Sequence, residues 1–290
     1  MPEFIVSKEE AELTAEQFLT QHIPAAPVGY LRHLFKKGKV RSGDKNIAAD
    51  DCLTVGGKIS LPNSSRLQEL IFAPQDPCPE VDILYESREI LIVNKPSGLA
   101  IHNSKGHERD NLTSRVAAFL VTRGDKFQVA PVQRLDLETS GPVLFGKGKK
   151  SCSELGKLFM QGEVTKTYLA LVDGKLLGRG DLLSDIPAKG KLKTASTSYQ
   201  ALVSTDSVSL LEIQLHTGRQ HQIRRQFADA GHPLYGDRRY KGPCPRKLHR
   251  LFLHCRSLAF IDPFSQQRIE VNCPLPKDLS RVLPQLGIVC

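Results

Sequence analysis

Three prolines within six positions constrain this chain more than any other feature. Pro74, Pro77 and Pro79 lie in the segment 73–80. A stretch with this density of proline continues neither a helix nor a central strand, so it indicates a linker. We therefore predict two domains, at residues 1–73 and 82–290, joined by a proline-rich linker at 74–81. A chain of 290 residues is long enough to give both domains a core.

The composition is that of a globular protein, with 40% hydrophobic and 24% charged residues. The first residues show neither the basic start nor the apolar segment of a signal peptide, and no window is apolar for long enough to cross a bilayer. We expect a cytoplasmic monomer with no membrane partner. The seven cysteines are scattered without a Cys-x-x-Cys pair, which indicates reduced thiols and no metal site.

The net charge of +9 is concentrated in the second domain. Residues 1–75 hold nine basic and nine acidic side chains, so all of the excess lies further along the chain. Between Arg219 and Arg250 there are nine basic residues against two acidic ones, Asp229 and Asp237. This concentration favours a polyanionic partner, although a solvated basic face is the alternative.

The first domain is predicted to be small and to contain both helices and strands. Its sequence favours helices at 8–20 and 29–37 and short strands at 39–42 and 58–61. Two helices, a basic turn and a small sheet resemble the S-four-like RNA-binding domain, and the alternative is a small α+β domain whose basic helix is only solvated. The resemblance implies that five residues bind RNA: Arg32, Lys36, Lys37, Lys39 and Arg41.

The second domain alternates strands with helices. We predict one helix at 112–120 and another from 223 to about 231. A third helix should follow the capping box formed by Ser151 and Glu154. Residues 204–207 should join two of the strands as a hairpin. The predicted strands are 90–94, 142–146, 165–172, 197–203, 208–215, 251–261 and 268–271.

The segment 132–141 places charge on an apolar background. Arg134 lies two residues before Asp136, and Thr, Ser and Gly then close a turn. If Leu135 and Leu137 are packed, Asp136 lies at the edge of a core, where an ionised carboxylate needs a cation or several hydrogen bonds. A purely structural Arg–Asp pair is the alternative.

One cation further along the chain fits this requirement. Arg224 lies within about 60° of Phe227 and about 40° of Ala228 around a helix of 3.6 residues per turn. It therefore borders the apolar face of that helix, whereas Arg225 points further round. Arg224 is the cation best placed for partial burial.

Five motifs of the second domain together resemble the RluA family of pseudouridine synthases. The likeness covers some 200 residues, from the proline-rich segment onwards. The motifs are Asn-Lys-Pro-Ser-Gly at 94–98, Arg-Leu-Asp at 134–136 with Thr-Ser-Gly at 139–141, Lys-Thr-Tyr at 166–168, Gly-Arg-Gln-His-Gln-Ile-Arg at 218–224, and Gly-His-Pro at 231–233 with Gly-Asp at 236–237.

The resemblance implies a reaction without a cofactor. The bond between a uracil nitrogen and its ribose is broken, the ring turns in its pocket, and it is rejoined through a ring carbon. Asp136 would be the catalytic carboxylate, either attacking the anomeric carbon or removing the neighbouring ribose proton. Arg224 would pair with Asp136, and Tyr168 would stack on the ring and take part in its proton transfer.

The resemblance also assigns RNA-binding roles. Arg134 would fill the space that the flipped base leaves, Ile223 would form a wall of the pocket, and Arg219 would contact phosphates with the rest of its basic cluster. Gln133 departs from the family, which usually has His there, and this puts the local loop geometry in doubt.

The implied fold is α+β, with a mixed, mostly antiparallel sheet crossed by a cleft. The N-terminal module favours ribosomal RNA of the large subunit as the substrate by analogy, with tRNA as the alternative. A non-catalytic RNA-binding or ribosome-assembly protein would not need Asp136, Tyr168 and Arg224 together. An RNA methyltransferase would need a Gly-rich nucleotide-binding turn, which we do not find.

Overall fold

The computed structural model describes residues 2–24, 26–71, 80–103, 110–125, 127–188 and 190–288. The chain forms two compact units, Met1–Pro79 and Glu80–Cys290. Most of the predicted linker at 74–81 lies outside the described residues. No helix within the described ranges is long and apolar enough to cross a membrane.

The first unit packs three helices on a four-stranded antiparallel sheet of order β1-β4-β2-β3. Phe18, Leu31 and Leu34 are among the residues of its core. The elements are β1 (Glu3–Ile5), α1 (Ala15–His22), α2 (Val28–Lys36), β2 (Arg41–Ser42), β3 (Lys45–Asn46), β4 (Lys58–Ser60) and α3 (Ser65–Ile71).

The predicted helix at 8–20 is wrong in its first half. Helix α1 begins only after Thr14, whose side chain accepts a hydrogen bond from the Gln17 backbone while Gln17 bonds back to Thr14. This reciprocal cap satisfies two backbone N–H groups at the start of the helix. Residues 8–13 form turns instead. Helix α2 lies within one residue of its predicted bounds.

The second unit contains a six-stranded and a four-stranded sheet, of orders β10-β11-β12-β9-β13-β14 and β5-β6-β8-β7. Its elements are β5 (Ile83–Glu86), β6 (Ile90–Lys95), α4 (Leu112–Thr122), β7 (Val129–Pro131), β8 (Gly141–Lys147), α5 (Lys149–Gln161), β9 (Thr165–Asp173), β10 (Arg179–Ala188), β11 (Lys191–Ser204), β12 (Val208–Leu215), α6 (Gln222–Asp229), β13 (Leu253–Ile261), β14 (Arg268–Asn272) and α7 (Lys277–Ser280), followed by a 3-10 turn at Leu283–Leu286.

The two sheets of the second unit meet beside the segment that carries Asp136. All strand pairs in the described part of both sheets are antiparallel, and a parallel bridge joins Ser140, just before β8, to His254 on β13. The predicted α+β class with a mixed, mostly antiparallel sheet is confirmed. The predicted hairpin is also confirmed, as β11 and β12.

One hydrophobic core connects both sheets with helix α6. It contains Val143 of β8, Tyr168 of β9, Ile213 of β12, and Ile223 and Phe227 of α6. Helix α6 is therefore fixed by its apolar face on the inner side of the sheets. This packing brings the polar edge of α6 towards the segment between β7 and β8.

One strand of this unit was not predicted, and one prediction for it is wrong. The long strand β10 was not predicted, because its Gly180, Asp181 and Pro187 are residues that disfavour strands. The predicted capping box at Ser151 is absent, because α5 begins earlier, after Gly148, and Ser151 is buried inside the helix.

Replacing Gly141 by alanine should destabilise the second unit. Gly141 has φ of 126°, and a Cβ atom there would lie 2.2 Å from the backbone oxygen of Cys255. Backbone strain and steric overlap together should lower the free energy of unfolding by roughly 2–5 kcal/mol, measured by urea denaturation.

The matched control is Gly156→Ala inside α5, where a Cβ would meet no atom within 4 Å. Alanine should there raise the free energy of unfolding by about 0.5–1 kcal/mol, since glycine is a poor helix former. A Gly141→Ala protein as stable as the wild type would contradict the close approach of β8 to β13.

Candidate active site

The segment that carries Asp136 is anchored on one side by a buried lysine. The Lys95 side chain is fully buried, and its ammonium donates to three backbone carbonyls, of which that of Leu137 is 2.9 Å away. Burial lowers the pKa of Lys95 to about 7, Arg250 adds to this effect, and Asp136 opposes it. A neutral amine has only two N–H donors, so three carbonyl partners favour the ammonium form.

The other side of the segment is held by an arginine and a histidine. Arg250 donates to the Glu138 carbonyl at 3.1 Å and to the Ser140 hydroxyl at 3.2 Å. His254 bonds through Nε2 to the carbonyl of Cys273 and through Nδ1 to Ser140. Burial lowers the pKa of His254, and a carbonyl only accepts, so the neutral ring carries its hydrogen on Nε2 and Nδ1 accepts from Ser140. The chain that follows Asp136 is therefore held through the backbone carbonyls of Leu137 and Glu138 and the side chain of Ser140.

Asp136 is hydrogen-bonded to Arg224, the arginine that the helical-wheel argument predicts to be partly buried. Arg224 of α6 is buried, with 6% of its surface exposed, and its Nη1 donates to Asp136 Oδ2 at 3.3 Å. The Asp136 side chain is 18% exposed, so it keeps access to solvent. The predicted partial burial of Arg224 at the edge of the apolar face is confirmed.

A second carboxylate holds this arginine more tightly than Asp136 does. Asp237 is fully buried and accepts from Arg224 Nε at 2.6 Å and Nη2 at 2.8 Å. Burial alone would lower the pKa of Arg224, but Asp237 first and Asp136 second outweigh it, and the pKa is raised. Sequence reasoning did not find this role for Asp237. A signal was present, because Asp237 follows the apolar Leu234 and Tyr235 in a stretch almost free of acids.

His221 lies on the same side of Asp136 as Arg224. Its Nε2 is 3.8 Å from Asp136 Oδ2, and its Nδ1 is 3.1 Å from the Tyr240 hydroxyl. Burial lowers the pKa of His221, Asp136 opposes this, and neighbouring arginines add to it. The Tyr240 hydroxyl accepts from Arg225 and so donates to Nδ1, which leaves the hydrogen of the neutral ring on Nε2, facing Asp136.

Tyr168 lies on the central strand β9 of the six-stranded sheet, between Ile213 of β12 and Cys255 of β13. Only 5% of its surface is exposed. Burial raises the pKa of Tyr168 well above its ordinary value, and Cys255 and Asp136 add to the effect. The phenol therefore keeps its proton at physiological pH.

A cavity of about 850 Å³ opens beside these groups. Asp136, Tyr168 and Arg224 all line it, as do the other three residues predicted to bind RNA in this unit, Arg134, Ile223 and Arg219. Ile223 is buried, Arg134 is exposed, and Arg219 donates from Nε to the Thr194 carbonyl. The structure thus brings all six predicted residues of the second unit to one cavity.

Two expectations for the segment around Asp136 are resolved by the structure. The condition set for Asp136, that Leu135 and Leu137 are both packed, is met only by Leu135, which is buried, since Leu137 is 43% exposed. The core contact expected of Leu137 is replaced by the backbone bond from Lys95. Gln133 donates from Nε2 to the carbonyl of Pro142 at 2.9 Å, so it ties together the two ends of the segment.

The five predicted RNA-binding residues of the first unit lie on α2 and on the chain that follows it. All five side chains are exposed, but Arg32 already donates to both carboxylate oxygens of Glu16 at 2.8 Å. Arg41 donates to the Asn46 side chain. The other three of these residues, Lys36, Lys37 and Lys39, present exposed ammonium groups.

Within the ranges that the structure describes, no group of three or more His, Cys, Asp or Glu side chains is arranged to hold a metal ion. His254 and Cys255, which are adjacent in sequence, have separate partners. His254 bonds to Ser140 and Cys273, and Cys255 lies against Tyr168.

The chain is similar to proteins of one enzyme family. Residues 89–229 match the family described as RNA pseudouridylate synthase. An uncharacterized RNA pseudouridine synthase of Bacillus subtilis strain 168, YhcT, is 32% identical over 216 residues, which cover 70% of this chain and 71% of the relative. The ribosomal large subunit pseudouridine synthase C of Escherichia coli strain K12 is 28% identical over 309 residues, which cover 97% of this chain and 95% of the relative.

Solved structures agree with these relatives. The human protein RNA Pseudouridylate Synthase Domain Containing 4 has the same fold, with a TM-score of 0.60 and 24% identity over 72% of this chain and 94% of that one. Human RNA Pseudouridylate Synthase Domain Containing 1 gives a TM-score of 0.55 and 25% identity over 69% of this chain and 86% of that one. With the motifs, the fold and the relatives all in agreement, this chain belongs to the RluA family of RNA pseudouridine synthases.

Proposed function

We propose that this protein isomerises specific uridines of large-subunit ribosomal RNA to pseudouridine, with Asp136 as its catalytic carboxylate. The observation that carries the proposal is a carboxylate bonded to a buried arginine at the wall of a cavity that an aromatic ring also lines. The name of the Escherichia coli relative supports the RNA target, because similarity to it extends over 97% of this chain, including the first unit.

Asp136 has to act on the ribose as an anion. Attack on the anomeric carbon and removal of the neighbouring ribose proton both need an ionised carboxylate, and Arg224 stabilises that form with its charge and its hydrogen bond. Arg224 is itself neutralised by Asp237, so only part of its charge acts on Asp136. Because Asp136 accepts the bond from Arg224 through Oδ2, its Oδ1 remains for the reaction with the ribose.

Tyr168 provides a flat surface for the uracil ring. Stacking of a base on an aromatic side chain contributes about 1–3 kcal/mol and tolerates rotation of the ring, which this reaction requires. Because burial raises the pKa of Tyr168, its hydroxyl serves as a hydrogen-bond donor rather than as a base. The hydrogen on the ring carbon that is rejoined to the ribose leaves as a proton, and the released ring nitrogen gains one.

The remaining roles concern the RNA. We propose that Arg134 fills the space left by the flipped uridine, that Ile223 bounds the ring, and that Arg219 contacts a phosphate. We also propose that residues 1–73 are an S-four-like RNA-binding domain, linked by 74–81 to a catalytic domain at 82–290, and that Lys36, Lys37 and Lys39 carry most of its RNA contact. We also propose that the protein acts as a monomer. An RNA substrate of this kind implies a cytoplasmic enzyme.

Purified protein should convert uridine in a transcript of large-subunit ribosomal RNA, and Asp136→Asn should reduce the rate by at least ~10³-fold, or about 4 kcal/mol in the activation free energy. Asparagine has the shape of aspartate but not its charge. Release of tritium from the C5 position of the labelled uridines measures the reaction.

The same variant identifies the target in cells. Pseudouridines mapped in cells that lack the protein should be missing at one or more sites of large-subunit ribosomal RNA, and the wild-type gene should restore them while Asp136→Asn does not. Sites lost only from tRNA would refute the ribosomal target. Full activity of Asp136→Asn would refute its catalytic role.

Two replacements of Tyr168 should separate its ring from its hydroxyl. Tyr168→Phe keeps the ring and should bind the RNA as tightly as the wild type, whereas Tyr168→Ala should raise Kd by about 5–150-fold, the equivalent of one stacked base. Binding is measured by fluorescence anisotropy with Asp136→Asn present in every protein to prevent turnover. Equal loss of binding in both variants would contradict the stacking role.

A further inference from the structure

A second cavity, of about 410 Å³, lies against Asp136. Asp136 and Arg224 belong to the walls of both cavities. The second cavity adds Leu137, Glu138, Arg238 and Arg239, which do not line the first one. Asp136 therefore lies between a cavity that contains Tyr168 and one that contains further arginines.

The charge of the second cavity is not balanced by the protein. Arg224 is bonded to both Asp136 and Asp237, but Arg238 and Arg239 make no ion pair and no side-chain hydrogen bond within the described part of the chain. Both are exposed. The described lining holds two carboxylates, Asp136 and Glu138, against the four guanidinium groups of Arg134, Arg224, Arg238 and Arg239, so the cavity is positive.

The backbone that presents these arginines is fixed by the same carboxylate that holds Arg224. Asp237 Oδ1 accepts from the backbone N–H groups of Arg239 at 3.1 Å and Tyr240 at 3.2 Å, in addition to Arg224. The Tyr240 ring lies 5.2 Å from the guanidinium carbon of Arg224 and 6.0 Å from that of Arg239. Asp237 therefore fixes the backbone of residues 238–240 relative to the pair of Arg224 and Asp136.

The parts of a nucleotide fit this arrangement. With its ring on Tyr168 in the first cavity, a uridine places its ribose at Asp136, and the phosphates attached to that ribose leave on the side away from the ring. Guanidinium groups match the oxygens of a phosphate through paired N–H donors. Resting on the proposed function, we propose that the second cavity is a phosphate subsite in which Arg238 and Arg239 bind a backbone phosphate next to the target ribose.

Such a subsite fixes the ribose from the side opposite to the ring. The nucleotide is then bound at its ring by Tyr168 and at its phosphate by the two arginines, and both contacts add to the affinity for the RNA. The contact is made in the bound substrate and in the transition state alike. Its loss therefore weakens RNA binding and leaves the chemical step unchanged.

The test combines a protein change with a change of one phosphate. Synthetic RNAs are made that contain the uridine modified by the protein. In each RNA one phosphate is replaced by an uncharged methylphosphonate: the 5′ phosphate of that uridine, its 3′ phosphate, or a remote phosphate. They are assayed with the wild type and with Arg238→Ala/Arg239→Ala, which keeps the backbone N–H groups that bond to Asp237. Arg88→Ala is the matched control, since Arg88 is 94% exposed in the same unit and lines neither cavity.

For the wild type, methylphosphonate at one of the two flanking positions should raise KM by roughly 10-fold or more, as expected for loss of hydrogen bonds to a charged group. With unmodified RNA, the double variant should have a similarly raised KM, a smaller dependence of log KM on the logarithm of the salt concentration, and an unchanged kcat. Methylphosphonate at that position should not raise the KM of the double variant any further. Arg88→Ala should behave as the wild type.

The subsite is overturned if methylphosphonate at each flanking position raises the KM of the double variant as much as it raises that of the wild type. It is also overturned if the double variant has a lower kcat and an unchanged KM. Both of these outcomes leave pseudouridine formation by the wild type intact, so the proposed function survives them. Absence of pseudouridine in every RNA tested with the wild type overturns the proposed function and the subsite together.

Discussion

Arg224 bridges two carboxylates, and the geometry of the whole site follows from this bridge. It makes two short hydrogen bonds to the fully buried Asp237 and one longer bond to the partly exposed Asp136. Three distant parts of the chain meet there: the segment before β8, helix α6, and the loop that follows α6. Removing one partner of a buried ion pair costs about 3–5 kcal/mol, because the other charge is left uncompensated. The bridge therefore contributes to stability as well as to the proposed function.

The unequal sharing of Arg224 between Asp136 and Asp237 fits the catalytic role proposed for Asp136. A carboxylate with two short bonds to a guanidinium would be a poor nucleophile and a poor base. Asp237 takes that arrangement, and Asp136 is left with one contact and an exposed edge. Meanwhile Lys95 and Arg250 hold the backbone carbonyls of the two residues that follow Asp136, so the side chain is positioned without using its own oxygens. Position and reactivity are thus supplied by different groups.

Much of this arrangement could be predicted from the sequence, because it depends on local pattern. The burial of Arg224 follows from its place beside Phe227 on a helical wheel, and the β11–β12 hairpin follows from alternation around a turn. The functions of Asp237 and Lys95 could not be read in this way. Each acts on a residue more than ten positions away, and only the packing of α6 and the sheets reveals the pairing.

The errors of sequence reasoning have the same cause. The position of Asp136 at the edge of a core was made to depend on packing of both Leu135 and Leu137, but the segment is a turn held by its carbonyls, and only Leu135 is buried. The helix at 8–20 was extended too far forward because its glutamates favour helices, whereas the Thr14 cap fixes the start. Strand β10 carries Gly, Asp and Pro and forms only because it pairs along its whole length with β11.

A structure of the Asp136→Asn protein bound to RNA that contains a target uridine tests this mechanism most directly. We expect the uridine to lie outside its RNA stack with its ring against Tyr168 and its anomeric carbon within about 3.5 Å of the side-chain oxygen at position 136. A uridine that remains stacked in the bound RNA, or a ribose that lies away from position 136 with the ring in the cavity, would contradict it.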